Sequence, residues 1–286
     1  MDTLTKFALS GGDPIWTPDI EVDEELAQRL IAAQFPQFDG APIERAGSGW
    51  DNAAYLVDER VVFRFPQRSI AAPLIEREIE FMPTIAERLS LPVPNPKFHG
   101  TPGEGYPWRF AGYDVLAGVT SCSRTLTLEE RRKLAEDLAQ FLRTLHAIDV
   151  EQLEKELPAD QIGRLDPLRL KVEEEPLTGP HCVVHGDLYA RHLLLDEENR
   201  LCGVIDWGDL HFGHPAVDLS VVHMMVPPRD HGVFLDAYGN VDERTWRFAR
   251  HRARHHASIV LDYSSTIGDE GLNLAARTAL RYIEGH

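Results

Sequence analysis

The sequence predicts an α+β protein with a small antiparallel sheet in its first third and a mainly helical remainder. Three observations carry this expectation. Short runs of β-branched and aromatic residues crowd into residues 43–65. A long amphipathic helical pattern opens at Thr127. From Ala216 onward the chain reads as mostly helical.

In chain order, residues 1–20 hold Gly11, Gly12, Pro14 and Pro18 and read as an irregular lead-in. Residues 22–34 carry Leu26, Leu30, Ile31 and Ala33 at helical spacing, with acids at the start that suit the helix dipole. Residues 43–45, 53–57 and 61–65 read as strands. Gly47, Ser48 and Gly49 form the turn between the first two, and Glu59-Arg60 the tight connection before the third. Residues 73–89 look helical, with Pro83 expected to break or kink them. LPVPNPKFHG, residues 91–100, is a proline-rich connector, and residues 108–116 read as a further strand and a crossing segment. Thr127 and Glu130 form a capping box, and Leu134, Leu138, Phe141, Leu142 and Leu145 make the core-facing stripe behind it. The acidic stretch 150–180 has room for one or two helices. Val183-Val184 leads into a loop, and residues 193–195 and 201–205 form two short strands bridged by the turn DEENR. No internal repeat or low-complexity tract is present. The expected division is an N-terminal lobe over 1–115 and a C-terminal lobe over 116–286.

The 286 residues suffice for one large domain or two lobes, and 43% hydrophobic with 26% charged content is ordinary for a soluble globular chain. A net charge of -17 argues against nucleic acid, since no basic stripe meets phosphates. It suits a cationic substrate or partner, or simply a solvated acidic surface. Three scattered cysteines with no CxxC make a disulfide framework a poor expectation and favour a reduced, cytoplasmic setting. The N-terminus lacks a signal-peptide pattern, and no run of about 18 apolar residues would cross a membrane.

The chemistry concentrates between His185 and Asp206, HGDLYARHLLLDEENRLCGVID. Phosphoryl transfer needs one carboxylate to orient and deprotonate a hydroxyl, and another to hold magnesium on the nucleotide phosphates. Asp187 and Asp206 fit those tasks. A lone Gly-Asp pair is as easily a turn. Here it comes with Asp206 in IDWGD and Asp218 in HPAVDLS, after a glycine-rich turn and a basic strand in the right order.

ERAGSGWDN, VVFRFP, IEREIEF, LRTLH, HGDLYARHLLLD, GVIDWGD and PAVDL together resemble the aminoglycoside phosphotransferase family, with its macrolide phosphotransferase and choline-kinase-like relatives. The resemblance implies a two-lobed, protein-kinase-like fold. It also implies transfer of the γ-phosphate of ATP or GTP, with Mg2+, to a hydroxyl of a small molecule such as an aminoglycoside or macrolide. It makes Asp187 the catalytic carboxylate and Asp206 the metal ligand. His192 stands where many relatives carry Asn; macrolide enzymes and some aminoglycoside enzymes are similar in having His there. It is a candidate metal ligand, the alternative being a histidine that braces the loop. Gly47, Ser48 and Gly49 would bring backbone amides to the phosphates, the alternative being a plain hairpin turn. Arg64 takes the place of the strand lysine that meets the α- and β-phosphates, or covers the sheet face; Glu78 is its matching acid, with Glu76 as neighbour. Asp218 and His185 would brace the catalytic loop. Backbone groups among Tyr113, Asp114, Val115 and Leu116 would meet the nucleotide base.

The pattern HRARHH, with His251, His255 and His256, reads more readily as a solvated basic face than as a metal site. Asp209, Asp230, Asp236, Asp262, Asp269 and Glu270 are candidates to line a pocket for a cationic acceptor. The rival readings are a kinase of a small metabolite, an amino alcohol or sugar derivative, and a nucleotide-binding pseudokinase.

Overall fold

The computed structural model describes residues 17–49, 51–158, 165 and 181–285. Most of the expected lead-in, and any helix in 159–164 or 166–180, lie outside the described residues. The chain divides into two compact units, Met1–Pro83 with Asn95–Val115, and Thr84–Pro94 with Leu116–His286.

The first unit begins with α1, Glu24–Gln34, whose N-terminus is capped by the Asp23 carboxylate accepting from the Leu26 N–H at 2.8 Å. Ala27, Leu30 and Ile31 form its buried face. Strands β1 (Ile43–Ser48), β2 (Asn52–Val57) and β3 (Val61–Pro66) follow, then α2 (Ala72–Ala86), β4 (Phe98–Gly100) and β5 (Phe110–Asp114). The sheet is antiparallel throughout, in the order β1-β2-β3-β5-β4. Its aromatic core is dense. Phe65 stacks on Phe110 at 4.5 Å, and Phe38 meets Phe98 edge-on at 5.1 Å. Gly112 in β5 is glycine by necessity, because a Cβ there would stand 2.5 Å from the Phe63 ring.

Three expectations are corrected in this unit. Gly47 and Ser48 are not in the turn: they extend β1, paired with Ala54 and Ala53 past an irregularity between Arg45 and Gly47. The turn starts at Gly49, whose N–H donates to the Asn52 carbonyl at 3.0 Å. Pro83 does not end α2; it lies within the helix, whose residues Ile75 and Ile79 pack on Ala111. The proline-rich connector supplies a strand, β4, because its residues 98–100 complete an edge beside β5.

The second unit holds β6 (Val119–Thr120), α3 (Leu128–His146), α4 (Val150–Glu156), β7 (Cys182–Val184), β8 (Leu193–Leu195), β9 (Leu201–Val204) and β10 (His211–Gly213). It ends with α5 (Ala216–Met225), α6 (His231–Tyr238), α7 (Glu243–Ile267) and α8 (Glu270–Glu284). The Thr127–Glu130 capping box opens α3 as the sequence predicts, and all five stripe residues are buried. β9 stops at Val204, one residue short of the expected strand. β6, β8 and β9 form one small sheet, and β7 and β10 another. Every residue of α5 is buried, and it packs against α3, α7 and α8. An apolar helix surrounded on all sides is a core element. Among the described residues no helix is long and apolar enough to cross a membrane.

Candidate active site

Strand β7 delivers the chain to His185 and Gly186, and α5 fixes both. Asp218, in the first turn of α5 and fully buried, accepts from the His185 N–H at 2.8 Å with one oxygen and from the Gly186 N–H at 3.0 Å with the other. His146 at the end of α3 adds its Nε2 to Asp218 at 3.3 Å, and the Tyr238 hydroxyl meets its Nδ1 at 2.7 Å. Burial alone would raise the Asp218 carboxyl; hydrogen bonding and charge from His146, with His185 and the Gly186 amide, outweigh it and hold the carboxyl below its ordinary value. Gly186 has φ of +92°, and a Cβ there would lie 2.3 Å from the Asp209 carbonyl oxygen. Only glycine makes this bend.

His185 is sealed in the core. Its Nδ1 accepts the Asp187 N–H at 3.2 Å, which leaves Nε2–H to donate to the Ile205 carbonyl at 3.0 Å. That assigns a neutral imidazole, and burial pushes its pKa down accordingly. Through this ring the loop bearing Asp187 is tied to the residue preceding Asp206.

The structure brings Asp187, His192 and Asp206 together. His192 Nδ1 lies 2.7 Å from the Asp187 backbone carbonyl, to which it donates, and 3.7 Å from that residue's carboxylate. Its Nε2 therefore keeps a lone pair, and it lies 3.5 Å from Asp206 Oδ2. Asp206 has φ of +66°, a strained conformation for a non-glycine residue, which points to a constrained functional position. Asp187 and Asp206 side chains are about one-third exposed (34%) and two-fifths exposed (41%), while His192 beneath them is buried. Two carboxylates thus open outward over one imidazole.

His256 was not expected here. It projects from α7 with Nε2 3.2 Å from Asp187 Oδ1, and its ring lies 5.1 Å from that of Tyr189. The basic-face reading of HRARHH fails at this residue. The available signal was the run Ala249, Ala253 and Ala257, small residues at four-residue spacing that mark the buried face of α7 and place His256 beside it. Arg252 on the same helix donates to the Gly186 carbonyl at 2.6 Å. Burial pushes the His256 imidazole down to about 4 from an ordinary 6.5, against the pull of Asp187. Since the unfolded chain takes up that proton first, stability is lost as pH falls from about 6.5 to about 4. Denaturant unfolding at pH 6.5 and 4.5 is expected to show His256→Gln losing less stability than the parent chain, by on the order of 2 kcal/mol. Equal losses would show that His256 does not titrate in this window.

In the first unit, Arg64 on β3 donates Nη1 to Glu78 Oε1 on α2 at 2.6 Å, both side chains being buried. Gly47 has open space where a Cβ would stand, and Gly49 only the Asn52 carbonyl at 3.9 Å. Asp114 ends β5 and its carboxylate pairs with Lys97. Leu116, in the second unit, is half-buried and outside any strand, while the Val115 N–H is bound by the Arg60 carbonyl. Of the six acids expected to line a cationic pocket, Asp269 caps α8 and pairs with Arg191, and Asp230 is buried 3.6 Å from Arg132. Those two serve the protein's own cations.

A family model described as the phosphotransferase enzyme family matches residues 42–255. The solved GDP complex of wild-type aminoglycoside 2'-phosphotransferase-IIIa is similar at a TM-score of 0.69 and 21% identity, over 92% of this chain and 99% of that one. Macrolide 2'-phosphotransferase type I is similar at 0.61 and 21%, over 91% and 98%. The macrolide 2'-phosphotransferase MphH from Brachybacterium faecium is similar at 0.58 and 20%, over 90% and 98%. A curated relative, the uncharacterized protein YcbJ of Bacillus subtilis (strain 168), is 24% identical over 98 residues, about a third of each chain at 32%. The α+β architecture is that of the kinase-like aminoglycoside phosphotransferases. With three-quarters of its length matched, and with Asp187 and Asp206 both beside His192, the chain belongs to the phosphotransferase enzyme family.

Proposed function

We propose that the chain transfers the γ-phosphoryl group of ATP or GTP to a hydroxyl of a small-molecule antibiotic, an aminoglycoside or a macrolide. The observation that carries this reading is the convergence of Asp187 and Asp206 on His192, within the fold of that family. Similar structures include the GDP and kanamycin complex of APH(2")-IIia and ADP-bound APH(2'')-Ib, which supports a nucleotide donor without choosing the base.

Asp187 orients the acceptor hydroxyl and takes its proton as the bond to phosphorus forms. His256 and His192 flank its carboxylate and limit its rotation. Asp206 Oδ2 and His192 Nε2 would hold Mg2+. Among the described residues no group of three metal-ligating side chains exists. Magnesium takes one or two protein ligands and completes its shell with phosphates and water. When bound, the ion neutralises charge on the phosphates. In the first unit, Arg64, fixed by Glu78, would meet the α- and β-phosphates, and the Gly47, Ser48 and Gly49 backbone would border them. Asp114 and Leu116 would flank the nucleotide base. Cys122, Cys182 and Cys202 are all free, consistent with work in a reducing cytoplasm.

A coupled assay of ATP and GTP against aminoglycosides, macrolides and amino alcohols tests the reading. At least one antibiotic is expected to drive nucleotide diphosphate release, with a phosphorylated product by mass spectrometry. Turnover confined to amino alcohols would move the chain to metabolite kinases. Nucleotide binding without turnover on any acceptor would make it a pseudokinase.

A further inference from the structure

The second unit carries a solvent-open recess of about 220 Å³ bounded by the segment after β6, the start of α3, the end of α5 and one face of α8. Arg124, Arg131 and Arg281 line it, and none of its lining residues is acidic. In a chain where Asp and Glu outnumber Lys and Arg by 46 to 29, a wall of cations alone runs against composition.

These arginines also lack the partners their neighbours have. Arg132 sits 3.6 Å from Asp230, and Lys133 sits 3.2 Å from Glu129. Arg131 has no carboxylate partner among the described residues. Its Nη1 donates to the Met225 carbonyl at 3.1 Å, and its guanidinium lies 5.6 Å over the Tyr282 ring. The adjacent Glu130 is engaged elsewhere, by the Thr127 N–H and hydroxyl at 2.6 and 2.7 Å and by Asn199 at 2.7 Å. Among the described residues Arg281 donates only to the Thr278 hydroxyl, at 3.1 Å. Burial and the like charge of Arg281 lower the Arg131 pKa, while Tyr282 and Glu130 act against them. Arg131 is partly buried while Arg124 and Arg281 are exposed, and guanidinium groups gathered along one wall favour an anion they can share.

Beside the arginines the lining carries the hydroxyls of Ser121, Thr125 and Thr278 and an apolar part. Met224, Met225 and Leu274 face the recess. Ala190, Met224, Met225 and Ala275 also line a smaller apolar pocket that reaches Tyr189, whose ring lies 4.3 Å from that of His192. Ala190 belongs to the catalytic loop, and its carbonyl accepts from the Cys122 N–H at 3.3 Å. Methionine side chains adapt to varied apolar shapes.

We propose that this recess binds a small organic anion, a carboxylate or phosphate monoester on an apolar body, against the outer side of the catalytic loop. The site is separate from the carboxylates around His192 and stands whether or not the acceptor is an antibiotic.

Phenyl phosphate is a suitable probe: it has the dianion and the ring, and no alcohol to be phosphorylated. Calorimetric titration of the full chain, saturated with nucleotide and magnesium, is expected to show one saturable site. Affinity should fall about tenfold or more in Arg124→Glu and in Arg281→Glu, and should fall with added salt. Benzylamine should give no saturable binding. Arg124 is exposed and outside any helix, so its variant keeps the fold. The proposal is overturned by no saturation up to roughly 10 mM probe, by parent-like affinity in both variants, or by probe binding that appears only when nucleotide is left out. Asp187→Asn separates the two readings: it should lower turnover by about 10²-fold or more and leave phenyl phosphate binding intact.

Discussion

Asp187→Asn is expected to lower the turnover of any acceptor by about 10²–10⁴-fold, with nucleotide affinity nearly unchanged. The amide keeps the shape of the side chain and one oxygen acceptor, but it cannot take a proton. It also weakens the attraction to His256 Nε2, now 3.2 Å from Oδ1. Asp187→Ala removes the positioning oxygen as well. If the carboxylate matters chiefly as an aligning group in a loose transition state, the alanine variant will be clearly worse than the asparagine variant. If it matters chiefly as a base, the two will be alike. Single-turnover kinetics with saturating nucleotide measures the difference. Full activity in the alanine variant would remove Asp187 from the mechanism.

The largest expected loss of stability is in Asp218→Ala. The substitution leaves the His185 and Gly186 N–H groups without their acceptor and His146 without its carboxylate, all in the core. Breaking a buried charged network by deleting one partner costs about 3–5 kcal/mol. For a chain of this size that corresponds to a melting temperature lower by roughly 10 °C. Asp218→Asn keeps one acceptor and should fall between the two. Because the folded carboxyl sits below its ordinary value, its contribution is present above the unfolded pKa and is lost in strong acid, as pH falls through the folded one. A melting temperature for Asp218→Ala equal to that of the parent would show that the loop is held by other contacts.

Much of this was legible in sequence. Local rules decide the capping box at Thr127 and Glu130 and the stripe from Leu134 to Leu145, so they could be read directly. The spacing of Asp187, His192 and Asp206 was legible because a short loop and a two-stranded hairpin leave little choice about where the second acid returns. The failures are tertiary. β4 forms because an edge beside β5 is open to residues 98–100, which no local preference announces. Gly47 and Ser48 join β1 because pairing to Ala54 and Ala53 outweighs their turn preference. His256 was misread because a histidine count at four-residue spacing ignores which face of α7 is buried.

The attachment of the loop to α5 has a wider consequence. Both peptide groups that precede Asp187 hang from a helix with no solvent-facing side. That stretch therefore has almost no freedom to drift between homologues without dismantling the interior. Evolutionary change in what is phosphorylated must come from surfaces free of that tether, so kinship in the loop reveals the reaction and says little about the molecule that receives the phosphate.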